Sequence, residues 1–549
     1  MTTAYEQARV PTLLHNQSQW LKVHLLFLCA LMGTAILDLD HDVLWLIFSI
    51  NTTFRDETSV SESHRTTVRS SHVCRAWRNI LLDSSSIWGR LMVINDNIHQ
   101  DWIEEIFRRS KSSPLCIQGN IPSGRIERLG YFSELIKNSW DRIEVFDLTL
   151  GEYDEQECKE IWSSMQQPSP LLKHFRLDST DIHSLWHTLT EPLFGNYAPQ
   201  IHEFSSYSLL LHNIPSWLSH IAVLVWCPNA TPFMELPNIL KEMPRLERLN
   251  LCYDDFVEEN ILASASDISI NMPCLKNVFG YHSMTGFVGL WERIKISDTE
   301  DVYWCIASID DDDNSPIEGL LQHASRAVSN LIAGHSVRYS SSAIRYLSLI
   351  LNSTVFEFSM GGGLTLKFEN IDRLDESSEV LSLFFGIFNS RHMEDISHLE
   401  IRVHEDLDDN VFLAFKSLLL SLSSVTTLDA DIGFLKKLNE LSLDASSDAE
   451  VGASEPDIFP HLNEVHVDTP GHSDCSSLDV EHLACFAVLR HEQGHAISTF
   501  SFSGHGFPEF QMLCDSIGDM EEIEITWRDD KRRKKFVYTN GRGVEEREV

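Results

Sequence analysis

One six-residue frame, apolar-x-x-apolar-x-apolar, constrains this chain more than any other feature. It recurs at Ile143 (IEVFDL), Leu172 (LKHFRL), Ile221 (IAVLVW), Leu246 (LERLNL), Trp291 (WERIKI), Ile344 (IRYLSL), Ile396 (ISHLEI), Leu438 (LNELSL), Leu462 (LNEVHV), Ile497 (ISTFSF) and Met520 (MEEIEI). Weaker copies begin at Ile201, Leu275 and Val425. Each frame puts three apolar side chains on the inner side of a short strand. Proline stands two residues ahead of the frame at Pro199, Pro244, Pro273 and Pro460. It cannot continue a helix and lacks the donor a central strand position needs, so it marks where a strand begins. The starts at 143, 172 and 201 lie 29 and 29 residues apart, and those at 221, 246 and 275 lie 25 and 29 apart. A period of this size is the signature of stacked repeats, each burying its apolar face on its neighbours. Helical stretches such as 412–422 and 480–490 lie between frames and would cover the outer side of the strands.

Composition narrows the function classes. The 549 residues are too many for one compact core, so several domains or an elongated array are expected. With 43 Lys and Arg against 81 Asp and Glu, the net charge of −38 disfavours phosphate backbones and anionic membranes as partners. Eleven cysteines, an odd number with no C-x-x-C pair, write neither a disulfide framework nor a thiolate zinc site, and point to a reducing compartment, cytosol or nucleus. The sequons at Asn16, Asn51, Asn229 and Asn352 would matter only in a secreted chain. The apolar run at 25–37 (LLFLCALMGTAIL) has 13 residues, short of the ~18 a membrane span wants. It reads as a signal-peptide core, a buried helix or part of an N-terminal extension, and residues 1–37 are set apart on that account.

From Leu39 the sequence LDHDVLWLIFSIN places Val43, Leu44, Ile47 and Phe48 on one helical stripe. After a polar stretch, a second pattern aligns Val73, Trp77, Ile80 and Leu81; residues 84–86 break it, and Ile87-Trp88 follows. Helices so short and so few cannot enclose a core, so a leftover apolar stripe is expected to meet another chain. The string L-x-x-D-V-L-x-x-I-F, then S-H-V-C-R-A-W-R-N-I, then S-x-I-W resembles the F-box in the form common in fungal F-box proteins, over residues 38–95. The family usually has Leu-Pro at the start of the first helix; here Leu39 is followed by Asp40, which can meet the positive end of the helix dipole. Cys74, next to Arg75, reads either as a thiol of lowered pKa or as a packed core cysteine.

The frames downstream resemble an irregular leucine-rich-repeat solenoid, the usual companion of an F-box. They depart from the regular form, because Gly151, Thr180, Asp254 and Ser283 stand where Asn or Cys is usual, and the interval 291–396 is poorly periodic. The expected fold is therefore α/β, a small all-α F-box segment at 38–95 followed by an irregular leucine-rich-repeat solenoid at 100–528 and a charged tail at 529–549. The alternative is a mixed α/β protein with unrelated amphipathic strands. The resemblance implies a non-catalytic, cofactor-free substrate receptor of an SCF-type ubiquitin ligase. Leu39, Val43, Leu44, Ile47, Phe48, Val73, Cys74, Trp77, Ile80, Leu81, Ile87 and Trp88 would dock on a Skp-type adaptor that links to the cullin. The repeats would hold a target protein, whose surface the acidic charge biases toward basic. A repeat scaffold unconnected to ubiquitin is the alternative.

His491-Glu492-Gln493-Gly494-His495 satisfies H-E-x-x-H, which on a continuous helix gives two zinc-binding imidazoles and a general base. Gly494 and the β-pattern from Ile497 instead suggest a helix ending in a glycine cap; Glu509, Glu521 or Glu522 would have to supply a third ligand. Gly361 to Gly363 lacks the Lys-Ser/Thr of a phosphate loop and reads as a turn. Lys531-Arg532-Arg533-Lys534-Lys535 reads as a nuclear import signal or as a solvated tail.

Overall fold

The computed structural model describes residues 39–52, 57–95, 98–179, 192–207, 209, 214–227, 236–252, 269–296, 301–308, 317–338, 346–361, 363–371, 378–388, 391–403, 409–447, 457–468, 477–503, 523–529, 534–539 and 543–548. The 25–37 run, Glu509, Glu521, Glu522 and 531–533 lie outside them. The fold is mixed α/β with large, mostly parallel β-structure, and the chain divides into two compact units, Met1–Ala230 and Thr231–Val549. The single array expected over 100–528 is thus parted at 230. Among the described residues no helix is long and apolar enough to cross a membrane.

The first unit begins with four helices, α1 (His41–Asn51), α2 (Glu57–Ser71), α3 (Arg75–Asp83) and α4 (Ser85–Gly89). Strands and helices then alternate: β1 (Met92–Ile94), α5 (Gln100–Ser110), β2 (Leu115–Ile121), α6 (Ile126–Ser139), β3 (Ile143–Leu150), α7 (Glu155–Met165), β4 (His174–Ser179), β5 (Glu203–Ser206) and β6 (Val223–Trp226). The six strands pair in parallel in chain order. Register explains why the frame repeats. Phe146, Phe175 and Phe204 are successive partners, and their buried rings stack at 5.4 Å and 5.4 Å along the helix-covered face. A crossover after each strand is what a parallel neighbour requires, since a tight hairpin would reverse direction; helices supply it after β1, β2 and β3, and the 3-10 turns Leu193–Asn196 and Ser216–His220 stand ahead of β5 and β6.

The second unit contains α8 (Leu236–Lys241), β7 (Arg248–Cys252), β8 (Ile270–Met272), β9 (Asn277–Ser283), α9 (Met284–Trp291), β10 (Ile294–Ile296), β11 (Asp301–Ser308) and α10 (Ile317–Arg338). It continues with β12 (Tyr346–Leu351), β13 (Val355–Met360), β14 (Leu364–Glu369), α11 (Ser378–Gly386), β15 (His398–Val403), α12 (Asp409–Ser421), β16 (Thr427–Asp431), α13 (Ile432–Ser447), β17 (Glu464–Asp468), α14 (Ser477–Glu492), β18 (Thr499–Ser503), β19 (Glu524–Asp529), β20 (Lys534–Thr539) and β21 (Gly543–Glu548). Strands β7, β9 and β11 pair in parallel, as do β15 through β19. Between them the order is disturbed: β11 pairs with β14, and β12 with β15, while β13 lies between β12 and β14 and runs antiparallel to both. That inserted hairpin accounts for the poor periodicity of 291–396, and Gly361 and Gly363 lie in the β13–β14 connection, with Gly363 at φ +100°.

Three expectations are corrected. LNELSL at Leu438 lies in helix α13, because Leu438 and Leu441 at i, i+3 extend the helical spacing of Phe434 and Leu435, and no proline precedes it. WERIKI at Trp291 is split between a helix and β10, which pairs with β8 and not with the main ladder. The 529–549 segment, expected as a charged tail, carries two strands: β20 and β21 extend the sheet antiparallel from β19, with Lys534 and Lys535 inside β20.

Candidate docking surface

Asp40 is the N-cap of α1, its carboxylate accepting the Asp42 N–H at 3.0 Å, so the residue that replaces the usual proline starts the helix by another route. The helix then carries two apolar faces. Leu44 and Phe48, four residues apart, are buried; Val43, Leu46, Ile47 and Ile50 share the opposite stripe and are half-buried or exposed. Phe48 meets the edge of Trp77 on α3, with ring centroids 5.1 Å apart and planes at 72°. Cys74 is neither a core cysteine nor buried: its sulfur caps α3 by accepting the Trp77 N–H at 3.5 Å, and it is half-exposed.

Trp88 is 2% exposed. Its indole N–H donates to the Leu81 carbonyl at 2.7 Å, satisfying a last-turn oxygen of α3 that has no helical donor. The Arg109 guanidinium lies 4.5 Å over its ring, and Trp102 stands edge-on at 6.3 Å. Trp102 in turn donates its indole N–H to His64 Nε2, which ties α2 to α5. Burial lowers the His64 pKa from its ordinary 6.5, which suits an acceptor nitrogen that must stay neutral. Arg90 closes the set by donating to Ser49 Oγ at 2.8 Å.

The structure therefore sorts the twelve predicted contact residues. Leu44, Phe48, Ile80, Leu81, Ile87 and Trp88 are buried within the chain itself; an apolar residue on a helical stripe has two possible destinations, and here the neighbouring helices take these six. Leu39, Ile47, Cys74 and Trp77 are half-buried, whereas Val43 (38%) and Val73 (59%) are exposed. Two residues that the motif did not single out join them, Leu46 (51%) and Leu82 (40%). Leu46 was legible as i+3 from Val43, but nothing in the sequence marked Leu82. Arg65 and Arg69 on α2 and Arg75 and Arg78 on α3 are also exposed, so this segment presents cations on an acidic chain.

At the H-E-x-x-H motif, α14 ends at Glu492, and Gly494 takes φ +82°. The His495 N–H bonds the Arg490 carbonyl at 2.9 Å, the pattern of a glycine-terminated helix. His495 thus lies beyond the helix that carries His491, and its Nε2 sits 2.9 Å from Asp457. Among the described residues no group of three His, Cys, Asp or Glu side chains is arranged to hold a metal. No protein-family model matches the chain, and no curated protein is similar to it.

Proposed function

We propose that this chain is the substrate-recognition subunit of an SCF-type cullin-RING ubiquitin ligase, with α1–α4 as its F-box and the strand–helix array as an irregular leucine-rich-repeat solenoid. The observation that carries the reading is the apolar surface left on a helical segment that has otherwise satisfied its own core: Val43, Leu46, Val73 and Leu82 lie exposed while Leu44, Phe48, Leu81 and Trp88 are buried. An apolar helical face of this kind is suited to a partner's groove. The partner is a Skp-type adaptor, and the cullin follows through it. The repeats hold a target beside the charged ubiquitin carrier, so rate comes from effective concentration and needs no catalytic side chain here. Such an assembly works in the cytosol or the nucleus.

The test is capture of adaptor and cullin by the full chain beside Leu46→Asp and Val73→Asp variants. A charge in a desolvated hot spot should cost at least 2 kcal/mol of adaptor affinity, while these exposed positions leave stability within ~0.5 kcal/mol. Folded wild-type chain that captures no adaptor would sink the proposal and leave the repeat scaffold.

A further inference from the structure

The face of the second unit's sheet opposite its helices can be read strand by strand from the register. Asn250, Phe279, Tyr303, Thr365, Ser359, Ser348, then Glu400 and Asp429, form one row across β7, β9, β11, β14, β13, β12, β15 and β16. All of these side chains are half-buried, whereas their neighbours along each strand are buried. Two features of this face bear on what it can hold. Phe279 and Tyr303, register partners on β9 and β11, lie flat against each other, centroids 5.1 Å apart and planes within 6°, on the side that no core covers. The pair helps hold the two strands together, and its half-buried rings leave part of their surface open to contact. The charges also do not balance. Lys367 is held by Glu369 at 2.6 Å, and Arg402 by Glu400 at 3.3 Å. Glu357 on β13, Glu464 on β17 and Glu524 on β19 then make no ion pair among the described residues, although Glu357 stands opposite Lys367 in register; Asp429 takes His398 Nε2 on one oxygen at 3.0 Å, and its Oδ1 is buried without a donor. Burial raises the Tyr303 pKa, Cys305, Glu357 and Glu369 add to it and Lys367 opposes it, so ring, carboxylates and one resident cation share one locality.

We infer that this face docks an extended Lys/Arg-rich segment of the target protein, with one cationic side chain seated on the Phe279–Tyr303 pair and further cations on Glu357, Glu464 and Glu524. Aromatic faces attract cations through the ring quadrupole, and Arg adds planar stacking. Glu464 and Glu524 share a row two strands apart, hence ~10 Å, which is close to the ~9 Å between residues i and i+3 on one side of an extended polyproline-II segment. An apolar or acidic segment would leave these carboxylates desolvated and unpaired. The inference rests on the receptor reading for calling the occupant a target, but the binding can be measured without the adaptor.

The experiment is fluorescence anisotropy of the full chain with a labelled Arg/Lys-rich dodecapeptide and its all-Gln counterpart, across a salt series. The expected result is binding of the basic peptide only, weakening with salt. Tyr303→Ala should weaken it about three- to tenfold while Tyr303→Phe retains it, because the ring face and not the hydroxyl does the work. Paired Glu464→Gln and Glu524→Gln should give a similar loss, against no change for Glu127→Gln with Glu134→Gln on α6 of the first unit. No basic-peptide binding by folded wild-type chain would overturn the inference, as would equal losses from both glutamate pairs, which would indicate general charge attraction. Basic-peptide binding without adaptor capture would sink the receptor reading and keep this one; the reverse would do the opposite.

Discussion

Replacing Trp88 tests whether the helical segment is anchored as described. Trp88→Ala deletes a fully buried indole, which costs about 3–5 kcal/mol in cores that cannot collapse. It also strips the Leu81 carbonyl of its 2.7 Å donor, and an unsatisfied buried acceptor adds about 1–3 kcal/mol. Loss of the Arg109 stacking contributes up to ~1 kcal/mol more. These terms overlap, so the expected cost is about 4–6 kcal/mol, comparable with the ~5–15 kcal/mol that holds a whole domain. Trp88→Phe keeps a ring but no donor, and should cost about 1–3 kcal/mol. Hydrogen exchange of amides within 75–110 reads the local opening free energy without assuming that two units unfold together. If Trp88→Ala moved those amides by less than ~1 kcal/mol, the account of α4 as an internal anchor would be wrong, and Trp88 would return to the list of surface contacts.

Three further outcomes are expected. A Cβ at Gly280 would sit 2.2 Å from the fully buried Trp304 ring, which is boxed in by Trp291 and Phe287; Gly280→Ala should therefore cost about 1–3 kcal/mol, and an unchanged thermal midpoint would contradict the packing. His64 has a lowered folded pKa, so its stabilising neutral form is fully present above the ordinary 6.5 and is lost as pH falls below it toward the folded value. Protection of α2 amides should drop over that window and stay flat in His64→Gln, and an identical profile in the variant would rule the residue out. Removing residues 530–549 takes away β20 and β21 and bares the β19 edge, so the shortened chain should self-associate in sedimentation, whereas a clean monomer would count against the pairing.

Much of the architecture was legible because strands in a parallel array repeat one spacing, and proline marked several of their starts. Strand β11 escaped the frame scan since DVYWCIAS is apolar on both faces where Cys305 and Trp304 are both buried. β13 and β14 escaped because a hairpin carries a period of two and no proline. The docking surface was half legible. A helical stripe identifies apolar residues without saying which neighbour will cover them, and Trp77, Leu81 and Trp88 fell on different sides of that question. The Trp102–His64 contact joins residues 38 positions apart and left no trace in the sequence.

The crossed insertion in the second unit has a consequence for how such a chain can change length. From β16 to β19 each strand bonds only to its chain neighbours, so a whole strand–helix repeat can be duplicated or deleted there and the ladder re-forms around it. Across β11 to β15 this freedom is absent: β14 has returned to β11 and β12 has gone on to β15, so cutting out β12 or β14 sets the antiparallel β13 against a strand of the parallel ladder, and cutting out β13 leaves parallel β12 and β14 joined by a connection too short for a parallel crossover. Growth by repeat duplication is therefore confined to either side of a fixed point, and the Phe279–Tyr303 pair lies beside that point, where the length of the array does not move it.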